Sequence, residues 1–150
     1  LHHDQVLILH HVRPRGAARE TLEVGNLLPA HATALGKVLM ANHGQIPAHL
    51  AGAYVAGDGG AALRDGRQFR EELDQISKRG WASVVGELSP GFASLASPID
   101  DRRGVTVGAI EIAGPMERLC RDRRPRAELV SRVTEAARAV SRELGGAVAT

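Results

Sequence analysis

Aromatic side chains make up only 3% of the 150 residues. The core therefore has to be built from Ala, Val, Leu and Ile, and a stacking surface for single-stranded nucleic acid is disfavoured. Cysteine occurs once, at Cys120, so no disulfide can form within one chain, and a reducing cytoplasm is the expected setting. No apolar run reaches the roughly 18 residues that a membrane span needs, so no membrane partner is expected. The start, Leu1-His2-His3-Asp4, has no charged segment leading into an apolar one and does not read as a signal peptide. Net charge is only +2, with arginine far outnumbering lysine, which is too little to make nucleic-acid binding the first reading.

Catalytic and metal signatures are also lacking. Seven histidines are present (His2, His3, His10, His11, His31, His43 and His49), but none falls in an H-E-x-x-H pattern and no C-x-x-C accompanies them. Surface or capping roles suit them better, and no metal or cofactor is expected. Cys120 has no local signature of a catalytic thiol. Ser89, before Pro90-Gly91, is not in a G-x-S-x-G nucleophile elbow. Gly57-Asp58-Gly59-Gly60 lacks the Gly-Lys-Ser/Thr ending of a phosphate loop. An enzyme is disfavoured because no nucleophile–base pair or metal set is visible.

What is present has the balance of one globular domain, with 43% hydrophobic and 24% charged residues. Val6-Leu7-Ile8-Leu9, with Val12 after the histidine pair, reads as a strand of about eight residues. Pro14 to Asn26 reads as a loop or weak strand. Leu28 to Ala41 reads as an amphipathic helix with a small-residue N-terminal half, and Lys37 is expected on its solvated face. Ile46 to Tyr54 reads as a shorter helix with Pro47 in its first turn, followed by a flexible loop at Ala56–Gly60.

Phe69, Leu73 and Ile76 define a helix over residues 66–79. Asp65 with Gln68 resembles a capping box at its start, and Gly80 sits where a left-handed terminating glycine belongs. The period then changes. Trp81–Val85, Phe92–Ile99 and Val105–Ala113 read as three strands of an antiparallel meander, the second interrupted near Pro98 and the last two joined by a hairpin loop at Asp100–Gly104. A last helix runs from about Pro125 to Leu144 on the stripe Leu129, Val133, Ala137, Val140 and Leu144. The basic run Arg118, Arg121, Arg123, Arg124 and Arg126 before it reads as a solvated connection. Helices segregated on an antiparallel sheet make an α+β domain.

Four blocks in this order carry a resemblance. Leu28-Pro29-Ala30-His31-Ala32-Thr33-Ala34-Leu35-Gly36-Lys37-Val38-Leu39-Met40-Ala41 resembles the "lPlhatalGKvlLA" signature of effector-binding domains of bacterial IclR-type transcriptional regulators. Ile76-Ser77-Lys78-Arg79-Gly80-Trp81-Ala82 is similar to that family's "ir-x-rGya". The stretch Gly86-Glu87 to Pro98-Ile99 is similar to "gE…Gv-x-siAaPi", and Val107 to Pro115 to "vgalsvsGP". Each block alone is weak, and the ordered set is strong.

The resemblance implies a GAF-like antiparallel sheet flanked by helices and an effector-binding domain spanning residues 1–150. It also implies that a helix, a strand and a winged helix-turn-helix DNA-binding domain would precede this segment. Homodimers or homotetramers, and DNA contact only through that preceding domain, are implied partners. By the same resemblance, the effector pocket falls on Ala34, Leu35, Val84, Phe92, Ser94, Glu111 and Ala113. An organic acid is the implied ligand class, because the unpaired amides at a helix N-terminus attract carboxylates. His31, Thr33 and the backbone around Ala34 would supply the donors.

Glu111 stands where the resembling sequences often carry Ser. On a period-2 strand it shares a face with Val105, Val107, Ala109 and Ala113, and an ionised Glu is costly to bury there without a partner. One reading makes it a rim residue or one paired with an arginine. The other makes it a ligand-orienting group, favouring a hydroxy-acid or hydroxyaromatic effector. The rival to a DNA-binding regulator is a GAF-like sensory module attached to a different output domain.

Overall fold

A computed structural model describes residues 3–12, 24–44, 46, 53–54 and 64–145. Strand β1 (Gln5–Leu7) pairs antiparallel with β2 (Leu27–Pro29), and a 3₁₀ turn (Ala30–Ala32) leads into helix α1 (Ala34–His43). Strand β3 (Ala53–Tyr54) pairs with β4 (Arg64–Asp65), and α2 (Gly66–Arg79) follows directly. Then come β5 (Ala82–Val85), β6 (Phe92–Asp100) and β7 (Thr106–Pro115), a short α3 (Met116–Leu119), the hairpin β8 (Cys120–Arg121) and β9 (Arg124–Pro125), and the long α4 (Ala127–Glu143).

The centre is the antiparallel meander β5-β6-β7. Directly opposed residues in such a sheet point to the same side. The rows Val84–Ser94–Ala113 and Ala82–Ala96–Glu111 therefore share one face. Ala82, Val84 and Ala96 on that face pack into one core with Ala34, Val38, Leu39 and Met40 of α1 and Phe69, Leu73 and Ile76 of α2. On the opposite face Ala93 packs with Leu119 and Cys120, and Val85, Ile112 and Leu129 join them. Helix α4 lies across β6 and β7 on that second face. Its end is pinned where the Asp100 N–H donates to Ser141 Oγ at 2.9 Å, and that hydroxyl donates back to Ala137 O at 2.9 Å. The result is a sheet between two helical layers, the α+β architecture that the sequence pattern implies.

Several expected elements change. The segment read as one helix from Leu28 is a strand, a 3₁₀ turn and then α1, which begins at Ala34. Gly36 explains the break, since a Cβ there would overlap the backbone of Ala30, so the turn folds flat against the helix only if residue 36 has no side chain. β1 is three residues long rather than eight. Of the helix expected over 46–54, Ala53–Tyr54 is a strand, and residues 47–52 lie outside the described residues, as does the loop expected at 56–60.

Strand β6 runs through Pro98, opposite Ala109 in β7. It tolerates this because pairing with β5 ends at Ala96, leaving that side of the strand unpaired at residue 98. The period-2 face of β7 fails at Val107, where the register shifts. Val107 is exposed, while Thr106 is buried and donates to Asp100 Oδ1 at 2.6 Å. The helices over 66–79 and toward 144, and Gly80 at φ 75° accepted by Ile76 O, stand as the sequence indicates.

Candidate functional site

The site grows from the first turn of α1. Thr33 is its N-cap, in extended backbone, and its Oγ1 accepts the Gly36 N–H at 3.1 Å. The Leu35 N–H donates to Glu111 Oε2 at 3.2 Å, reaching across from the middle of β7. Two of the orphan amides of the helix start are thus satisfied by this chain's own side chains. Ser94, diagonally opposite on the neighbouring strand, faces the Glu111 carboxyl and helps to hold its charge. Although Glu111 as a whole is only partly buried, desolvation of its carboxyl pushes the pKa up to about 7 from 4.5, against the opposing pull of Leu35 and Ser94. Unlike an ion pair, this environment stabilises the carboxylate through dipoles alone, so the group sits near its titration point.

The expected site residues are brought together in part. Val84, Ser94 and Ala113 form one cross-strand row, and Glu111 lies on the same face in the adjacent row. Ala34 and Val84 are buried, Leu35, Phe92 and Ser94 are partly buried, and Ala113 is exposed. Leu35 takes part through its backbone amide. Thr33, expected to offer a donor to an acid, caps its own helix.

Lys37 overturns its expectation. It is not on a solvated face but 0% exposed. Its Nζ donates to both Glu87 oxygens, at 2.9 and 2.7 Å, and to Glu72 Oε1 at 2.9 Å. One ammonium thereby ties α1 to α2 and to the β5–β6 turn. The available signal was its position between Gly36 and Val38 in an apolar run, on the same helix face as buried Ala34; its partners, 35 and 50 residues away, were not readable.

The arginine run is solvated, as expected, except at Arg126: Arg118, Arg121, Arg123 and Arg124 are exposed, Arg123 donating to Val85 O at 3.3 Å, while Arg126 is half-buried and donates to Glu117 O at 3.3 Å. Between β8 and β9, Asp122 and Arg123 both have positive φ, the conformation of a two-residue hairpin turn. A separate open cleft of about 640 Å³ beside the α4 N-terminus, lined by Arg121, Arg124, Arg126 and Glu128 among others, contains none of the expected site residues. Burial pushes the Cys120 thiol up, which disfavours the reactive thiolate. Among the described residues no group of three or more His, Cys, Asp or Glu could hold a metal, and no helix is long and apolar enough to cross a membrane.

A family model described as "Bacterial transcriptional regulator IclR C-terminal" matches residues 1–142. The "Glycerol operon regulatory protein" of Streptomyces griseus is 43% identical over 145 residues, covering 97% of this chain and 57% of that protein. This chain thus spans little more than half the length of that relative. The crystal structure of the C-terminal domain of the E. coli transcriptional regulator KdgR matches with a TM-score of 0.73 at 23% identity, covering 97% of this chain and 84% of that one. The crystal structure of an IclR homolog complexed with 4-hydroxybenzoate, from Microbacterium hydrocarbonoxydans, matches with a TM-score of 0.77 at 23% identity, covering 96% and 57% of the two chains. At that identity the two structures speak for the fold alone. The relatives are named as regulators, not as enzymes.

Proposed function

The chain belongs to the IclR family of bacterial transcriptional regulators, and from that premise we propose that it is the small-molecule-sensing domain of such a regulator. The observation that carries the reading is the polar pair Glu111 and Ser94, set in an otherwise apolar sheet face against the first turn of α1. Polar groups placed sparsely in an apolar wall are what orient a small organic ligand. The effector is a small organic molecule carrying hydroxyl groups, in the range of polyols, hydroxy-acids and hydroxyaromatic acids. A relative named for a glycerol operon and a neighbour complexed with 4-hydroxybenzoate both support that range.

The longer protein contacts DNA through a winged helix-turn-helix domain preceding this segment, and works in the cytoplasm as a homodimer or homotetramer. Effector binding favours one of two arrangements of the assembly and so changes how the DNA-reading heads meet their half-sites. The test is thermal unfolding of this domain against a panel of polyols, hydroxy-acids and hydroxyaromatic acids. An effector at about 100 times its Kd adds roughly 2.7 kcal/mol, a Tm rise of about 5–10 °C. A panel without any shift overturns this reading of the ligand class.

A further inference from the structure

Resting on the sensor reading above, we propose that Glu111 occupies the anion seat of the effector site from within, and so narrows that range to its neutral, hydroxyl-bearing members at the expense of the acids. A helix start binds carboxylate or phosphate through free amides and the positive end of its dipole. In this chain the Leu35 amide is held by the Glu111 carboxylate at 3.2 Å and the Gly36 amide by Thr33 at 3.1 Å. A ligand's acid group arriving there meets an engaged donor and a like charge beside it.

Displacing Glu111 does not help such a ligand. Besides Ser94, the same sheet face carries Ala82, Val84, Phe92, Ala96 and Ala113, which offer a loose carboxylate no counter-ion. The α1 ammonium, Lys37, is committed to Glu72 and Glu87. A hydroxyl meets the opposite situation. It donates to the Glu111 carboxylate and accepts from Ser94, the diagonal neighbour of Glu111 on the same sheet face. With a pKa of about 7, Glu111 serves a hydroxyl in both of its forms, accepting from it when ionised and donating to it when protonated.

The test opens the seat. Glu111→Ser removes the internal carboxylate, and Glu111→Gln keeps its bulk and its acceptor for Leu35. The probe is sodium acetate against sodium chloride at matched ionic strength, read by thermal unfolding. Acetate at about ten times its Kd raises the Tm of E111S by about 4 °C and leaves the wild type and E111Q unmoved. A second arm compares glycerol with glycerate: the wild type prefers glycerol by at least about tenfold, and E111S reverses the preference, a swing worth more than about 1.4 kcal/mol. Acetate acting equally on the wild type and E111S, or on neither, overturns the proposal, as does an unchanged glycerol-to-glycerate ratio. Because acetate reports only whether the helix amides are open, such a failure removes the role of Glu111 and leaves the sensor reading in place. That reading stands or falls on the wider ligand panel.

Discussion

Glu87 and Glu111 both reach the first turns of α1 from the sheet, one from the β5–β6 turn and the other from the middle of β7, yet they are held in opposite ways. Glu87 meets an ammonium, with both of its oxygens on Lys37 Nζ. Glu111 meets an amide and a hydroxyl, with no cation among its named partners, and its pKa rises to about 7. On the reading proposed above, the difference separates a lock from a sensing group, both set against the same helix. A buried ion pair fixes two elements at one distance and is indifferent to small molecules. A carboxyl balanced between ionised and neutral, on a partly open face, responds to whatever touches it.

The comparison breaks most readily at Lys37. Replacing it by methionine keeps the volume but leaves Glu87 buried without its counter-charge, and K37M should lose about 3–5 kcal/mol in denaturant unfolding. The double change K37M/E87L should recover much of that loss, since paired hydrophobic replacement of a buried ion pair is often near neutral. A loss under about 1 kcal/mol for K37M alone would show that the two glutamates differ less than their contacts indicate.

The next effect belongs to Glu111 and has the opposite sense. A carboxyl whose folded pKa lies above its unfolded value stabilises the fold while protonated, so that contribution is full below pH 4.5 and is lost as the pH rises through 7. Between these two values the wild type should lose about 3 kcal/mol relative to E111Q. Urea unfolding of both proteins at several pH values reads this directly, and parallel pH profiles would remove the distinction. The smallest change sharpens rather than breaks the comparison. Thr33→Ala frees the Gly36 amide and should cost about 1 kcal/mol, measured by the shift in urea midpoint. It should also weaken the hold on Glu111 very little, because the Leu35 amide is a separate donor.

The sequence pattern placed α2, the meander and α4 well, because most of their apolar residues keep the period of the element: Phe69, Leu73 and Ile76 are buried, as are Val133 and Ala137, although Val140 and Leu144 at the end of the α4 stripe are exposed. It failed where a local pattern is overruled by a distant contact. The stretch from Leu28 carries helical spacing throughout, but backbone packing of Ala30 on Gly36 sets the helix start four residues before Val38, at Ala34. Lys37 reads as solvated on propensity alone, and only Glu72 and Glu87 make its burial tolerable. Glu111 was legible as an odd residue on an apolar strand face. Its attachment to α1 was not, because nothing near it in sequence names the amide it accepts.

The bond between Leu35 and Glu111 spans 76 positions, and the pair between Lys37 and Glu87 spans 50. Contacts of such long sequence separation form late in folding, after more local helices and hairpins. A ribosome extending this chain makes α1 long before β7 has emerged, so the nascent domain holds a helix start whose amides are open. Only when the third strand of the meander docks does Glu111 close that start. Closure of the α1 start therefore waits on β7, and a chain truncated before that strand lacks the Glu111 carboxylate together with α3 and the long α4.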